Sequence, residues 1–145
     1  MNVYLDTSAL VKRYIEESGS QKVREWIDKA VSIATSQITR AEMSAAFARA
    51  TRIGILNHAD ALKALESFRA EWRDIVRLPV AELTIHRADS LAWELGLRGY
   101  DAVHLATTLL WQETIGEPIH LATYDQQLWQ AGKAAGLLVL PEEKE

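Results

Sequence analysis

The sequence predicts a single α/β domain, a three-layered α/β/α sandwich built on a mainly parallel sheet. Three observations lead there. The chain has 145 residues, 48% of them hydrophobic, which is about one domain's length and enough apolar material for one buried core. Short apolar runs alternate with longer segments of helical period, as in folds whose strands are joined through helices. Glycines and prolines fall at the joints between those segments.

In chain order, the strands are expected at residues 3–5, 32–35, 75–78, 119–122 and 137–140, each a short run such as Val3-Tyr4-Leu5 or Ile119-His120-Leu121-Ala122. The helices are expected at 8–16, 21–30, 40–53, 59–73, 87–97, 100–113 and 126–135. Ser18-Gly19-Ser20, Gly54, Asn57, Pro79, Gly96 with Gly99, Gly116 with Pro118, and Gly136 mark where these elements start or stop. No internal repeat, low-complexity tract or linker interrupts the pattern. The domain is therefore expected over residues 1–140, with 141–145 as an acidic, disordered tail.

Composition removes several function classes. No apolar run approaches the roughly 20 residues of a membrane span, and the first six residues carry neither a basic leader nor a small-residue cleavage site. A cytoplasmic protein without a membrane partner is expected. With no cysteine there is no thiol nucleophile and no thiolate metal site, so carboxylates and imidazoles are the strong ligands left. Such ligands favour hard cations. The net charge is −4 but unevenly spread. From Asp101 onward there are seven acids against Lys133 and Lys144, whereas 38–80 carries seven bases against five acids. That stretch is compatible with phosphate contacts, and equally with solvated helix faces.

Four acids stand at helix starts, and each has a structural explanation as well as a functional one. Asp6 and Asp125 each follow a strand and precede a helix, so each is placed to cap it. Parallel strands would also put both on one sheet edge, where ligands of open α/β folds bind. Glu42 stands three residues after Thr39, the spacing of a capping box. It also leads a helical face of Ala45, Ala46, Arg49 and Ile53, whose burial would leave a carboxylate in need of compensation. Asp101 lies in the first turn of an apolar helix, where the helix dipole favours acids. His104, one turn on, reads as a packed core residue, and its spacing from Asp101 is not that of a helical zinc motif.

Together the four would concentrate negative charge that only protonation or a cation could relieve. Mg²⁺, or Mn²⁺, fits an all-oxygen site, with Asp6 and Asp101 as principal ligands and Glu42 and Asp125 binding directly or through water. Thr7, Ser8 and Thr123 have hydroxyls placed to orient those acids, or to cap helices. Such a site hydrolyses phosphodiesters without a protein nucleophile. A DNA nuclease, a phosphatase, or a non-catalytic module whose acids only cap helices remain open alternatives at this point.

The segments Leu5-Asp6-Thr7-Ser8-Ala9-Leu10, Thr39-Arg40-Ala41-Glu42, Tyr100-Asp101-Ala102-Val103-His104-Leu105-Ala106 and Thr123-Tyr124-Asp125-Gln126-Gln127-Leu128, followed by Ala131 and Gly136-Leu137, resemble the PIN-domain nucleases, and among them the VapC-type toxins of toxin–antitoxin pairs. The resemblance spans residue 3 to about 140. It implies a homodimer, metal-dependent endonucleolytic cleavage of RNA (tRNA or rRNA), Asp6, Glu42, Asp101 and Asp125 as catalytic residues, and inhibition by a cognate antitoxin protein. Five tryptophans are a heavy aromatic load for one small domain. Most should pack in the core, and an exposed one would suit a subunit or antitoxin interface.

Overall fold

The computed structural model describes residues 1–144. Its five strands are β1 (Asn2–Leu5), β2 (Ser32–Ser36), β3 (Val76–Leu78), β4 (Ile119–Ala122) and β5 (Leu138–Leu140). They form one sheet in the order β3-β2-β1-β4-β5, and every pairing is parallel. The helices are α1 (Thr7–Tyr14), α2 (Ser20–Lys29), α3 (Thr39–Arg52), α4 (His58–Glu71), α5 (Glu82–Leu95), α6 (Gly99–Ile115) and α7 (Gln126–Ala134). This is the predicted α/β/α sandwich, with a sheet that is parallel throughout.

The period-two alternation of β1 separates two cores. Val3 and Leu5 face one side, packing with Ala9, Leu10, Val23, Met43, Phe47 and Phe68 from α1 to α4. Tyr4 faces the other, packing with Leu105, Ala106, Leu109, Leu128 and Ala131 of α6 and α7. Both are dense, and truncating fully buried Phe68 to alanine is expected to cost about 3–5 kcal/mol. Gly132 shows how close α7 lies to the sheet, since a Cβ there would stand 2.6 Å from Leu121 Cδ2.

Several expectations shift in detail. Helix α5 begins at Glu82 rather than residue 87, because Thr84 Oγ1 accepts from the Ala81 N–H and so secures a first turn. The α3 stripe of Ala45, Ala46, Arg49 and Ile53 is not the buried one. Thr39, Met43, Phe47 and Ala50 go inward instead, because the two largest apolar side chains decide which face packs. Pro141, expected in the tail, is buried, and its carbonyl accepts from Trp129 Nε1 at 2.8 Å. Glu145, the end of that tail, lies outside the described residues. Trp111 and Trp129 are buried, Trp26 and Trp72 half-buried, and Trp93 is 89% exposed. Among the described residues no helix is long and apolar enough to cross a membrane.

Candidate active site at the carboxyl edge of the sheet

Strands β1 and β4 are neighbours, with Leu5 opposite Ala122, while the chain leaves β1 toward β2 on one side and reaches β4 on the other. The carboxyl ends of β1 and β4 therefore flank the point where strand order reverses, the place at which open α/β sheets form a crevice. Asp6 follows the end of β1, and Asp125 lies three residues beyond β4. Each caps the next helix: Asp6 Oδ1 accepts from the Ala9 N–H at 3.0 Å, and Asp125 Oδ1 from the Leu128 N–H at 2.9 Å. Capping and membership of an acidic cluster are not exclusive, because a carboxylate has lone pairs for both.

Asp6 is only 4% exposed, and hydroxyls surround it. Ser8 Oγ donates to its Oδ1 at 2.7 Å and Thr123 Oγ1 to its Oδ2 at 2.7 Å. Ser8 Oγ in turn accepts from the Tyr124 N–H, which ties the start of α1 to the β4–α7 turn. Burial still pushes the Asp6 carboxyl above the usual range, although nearby His104 and these hydrogen bonds pull the other way.

Glu42 does not close a capping box. Thr39 is already helical, and its hydroxyl shares a 2.7 Å hydrogen bond with that of Thr35. Glu42 Oε1 instead accepts from Thr7 Oγ1 at 2.9 Å and meets His104 Nε2 at 2.7 Å. The opposite ring nitrogen, Nδ1, lies 2.7 Å from the Tyr4 hydroxyl. Because β1 turns Tyr4 toward α6, a fully buried phenol fixes the His104 ring and the ring fixes Glu42. Burial pushes the Glu42 carboxyl up, but the hydrogen bond and charge of His104 and the Thr7 hydroxyl outweigh it and hold the group below its ordinary value. His104 is buried and hydrogen-bonded, as its sequence suggested, yet its partner is a site carboxylate.

Asp101, 2% exposed in the first turn of α6, is raised by burial and by the charges of Asp125 and Asp6, against the opposing pull of Arg98. Arg98 Nε donates to Asp101 Oδ2 at 3.0 Å, and its Nη2 pairs with Asp125 Oδ2. Its guanidinium also sits over the Tyr100 ring, 4.8 Å from the centroid. The repulsion expected to require protonation or a bound ion is thus partly relieved by a side chain that sequence reading passed over. Nothing marked it, since its second acid is 27 residues distant. The four acids and Thr7, Ser8 and Thr123 are all brought to this one edge.

An all-oxygen donor set with two buried carboxyls raised above their usual range suits a hard divalent cation. Among the described residues, no three of His, Asp and Glu converge on a point as they stand. The site fits an ion held by one or two carboxylates with water and substrate oxygens, as Mg²⁺ commonly is, rather than a closed protein cage.

Fold and acidic edge together define a class. The chain belongs to the PIN-domain family, whose sequence pattern matches residues 3–133. Within it the chain is 34% identical to Ribonuclease VapC45 of Mycobacterium tuberculosis strain CDC 1551 / Oshkosh, over 97% of this chain and 96% of the relative. Ribonuclease VapC49 of strain H37Rv matches at the same identity and coverage. Among solved structures, FitAB bound to IR36 DNA superposes with a TM-score of 0.69 at 18% identity, covering 99% of this chain and 97% of that one. VapC20 of M. tuberculosis, a toxin that cleaves the sarcin-ricin loop, superposes with a TM-score of 0.63 at 16% identity, covering 99% of each chain.

Proposed function

We propose that the protein is a cytoplasmic endoribonuclease that hydrolyses RNA phosphodiester bonds with Mg²⁺ or Mn²⁺, and that it acts as the toxin of a toxin–antitoxin pair. The observation that carries this reading is the gathering of Asp6, Glu42, Asp101 and Asp125 around the β1–β4 crevice, with Asp6 and Asp101 buried and raised. Near-full-length similarity to proteins named as VapC ribonucleases supports RNA as the substrate class, and we take tRNA or rRNA as the first candidates. Structural neighbours that are toxin–antitoxin complexes support a cognate antitoxin partner. The exposed Trp93 and Leu83 on α5 offer apolar surface for a homodimer or for the antitoxin.

In this mechanism Asp6 and Asp101 are the principal metal ligands, and Asp125 is a third, directly or through water. The ion supplies charge neutralisation at the phosphodiester, a more acidic water and stabilisation of the leaving oxygen. Glu42 orients the attacking water or joins the ligands. Its Oε1 is taken by Thr7 and His104, so Oε2 is the oxygen left for that work. Ser8 and Thr123 hold both oxygens of Asp6 in one orientation, so the carboxylate needs no rearrangement when substrate arrives.

Incubating the purified protein with tRNA, rRNA and DNA, with Mg²⁺ or with EDTA, tests the proposal. Endonucleolytic cuts in RNA alone, abolished by EDTA, are expected. Cleavage that survives EDTA overturns the metal mechanism, and cleavage confined to DNA overturns the substrate.

A further inference from the structure

The Asp101–Asp125 pair already holds a cation, the Arg98 guanidinium, and its placement has three properties that a purely structural salt bridge does not need. One of its nitrogens, Nη2, bridges Asp101 Oδ2 and Asp125 Oδ2, oxygens of two of the proposed metal-binding acids. The Arg98 side chain is 52% exposed, although Asp101 beneath it is almost fully buried. While it bridges those oxygens its guanidinium also lies over the face of half-exposed Tyr100, 4.8 Å from the ring centroid, a partner that does not depend on the carboxylates. Arg98 is also the residue just before α6, with extended backbone and no cap hydrogen bond from its side chain, so the helix does not constrain where the guanidinium goes.

One guanidinium shared by two carboxylates leaves the pair a charge short of neutrality. A divalent ion on those oxygens completes the neutralisation, and at the same time repels the guanidinium. Sharing Asp101 Oδ2 and Asp125 Oδ2 would hold the two positive charges close together, so each weakens the binding of the other. The Tyr100 face keeps the displaced group nearby through a cation–π contact.

We propose that Arg98 is the resident competitor of the catalytic cation. It holds Asp101 and Asp125 in the metal-free protein, yields them to a divalent ion while keeping its contact with Tyr100, and thereby weakens the site's affinity for that ion. This rests on the metal-dependent reading above. The structural alternative is a half-exposed ion pair of little energetic consequence, which predicts no effect on metal binding.

The test is calorimetric titration of Mn²⁺ alone into the metal-stripped full chain, as wild type, Arg98→Gln, Arg98→Lys and Asp101→Asn. Arg98→Gln should bind Mn²⁺ about five- to ten-fold more tightly, the lower end of the range typical of coupled ligands because the guanidinium is half in solvent. Arg98→Lys should fall between it and wild type, since the charge remains but the planar fork is lost. Asp101→Asn should lose binding. Unchanged or weaker affinity in Arg98→Gln, with binding lost in Asp101→Asn, overturns the competitor role and leaves the metal site intact. No Mn²⁺ binding by any of the four proteins overturns the metal site itself, and the competitor role with it.

Discussion

The two halves of the acidic edge manage negative charge in opposite ways. The inner half, Asp6 with Glu42, is fastened by the chain's own hydroxyls and by one imidazole: Ser8, Thr123 and Thr7 donate, and His104 closes on Glu42 with Tyr4 behind it. The outer half, Asp101 with Asp125, is bridged by a single half-exposed guanidinium, with, among the described residues, only the Leu128 N–H on Asp125 Oδ1 besides. Fixed short donors preorganise a carboxylate at little entropic cost, whereas a long side chain in solvent can leave. The inner half is thus a rigid positioning device and the outer half an exchangeable one.

Substitutions of the buried acids should cost most. Asp6→Asn is expected to reduce RNA cleavage about 100-fold or more, the scale set by removing one preorganised charged or polar group from an active site. Its fold should survive, because an asparagine oxygen can still cap α1 through the Ala9 N–H. Comparing single-turnover rates with urea midpoints separates the two effects. His104→Ala, which frees Glu42 without touching substrate, should cost about 10–100-fold, with partial rescue by His104→Gln. Equal activity of His104→Ala and wild type would make the imidazole a packing residue only.

Stability against pH sharpens the contrast at smaller amplitude. Asp6 and Asp101 are raised, so the stability they contribute is full below their unfolded pKa and is lost as pH rises through their folded values. Glu42 is held low, so its contribution is present above its unfolded value and lost as pH falls through its folded one. In EDTA the protein should therefore gain stability from Asp6 and Asp101 on going from pH 7 toward the ordinary carboxylate range near about 4, and lose Glu42's share only below it. Urea midpoints across that range check this, and Asp101→Asn should flatten the profile. The smallest effect belongs to Trp93→Ala, whose side chain is 89% exposed, and which should alter monomer stability by about 0.5 kcal/mol or less. Any change in sedimentation would then report its role at a subunit interface.

Much of this was legible in the chain itself. Alternating apolar runs gave the five strands and the parallel sheet, and helix-start signals brought out all four acids and three hydroxyls. What escaped was long-range or locally disguised. Thr84 and Ile85 are mediocre helix formers that hid the first turn of α5. Met43 and Phe47, by sheer size, turned α3 one residue away from the stripe expected to pack. Arg98 looks like any surface arginine, and His104 like any core histidine, until the fold brings Asp125 to one and Glu42 to the other. Capping gave every acid a local explanation, and only the topology shows that Asp6 and Asp125 can cap helices while standing at one crevice.

The inner and outer acids are proposed to act as one catalytic unit. Single-turnover RNA cleavage at saturating Mg²⁺ by Asp6→Asn, Asp101→Asn and the double variant tests it most directly. Groups that act as a unit are strongly non-additive, so each single change should cost about 100-fold or more and the double change little beyond either. Full activity in either single variant, or losses that multiply in the double, would mean that the two halves work independently.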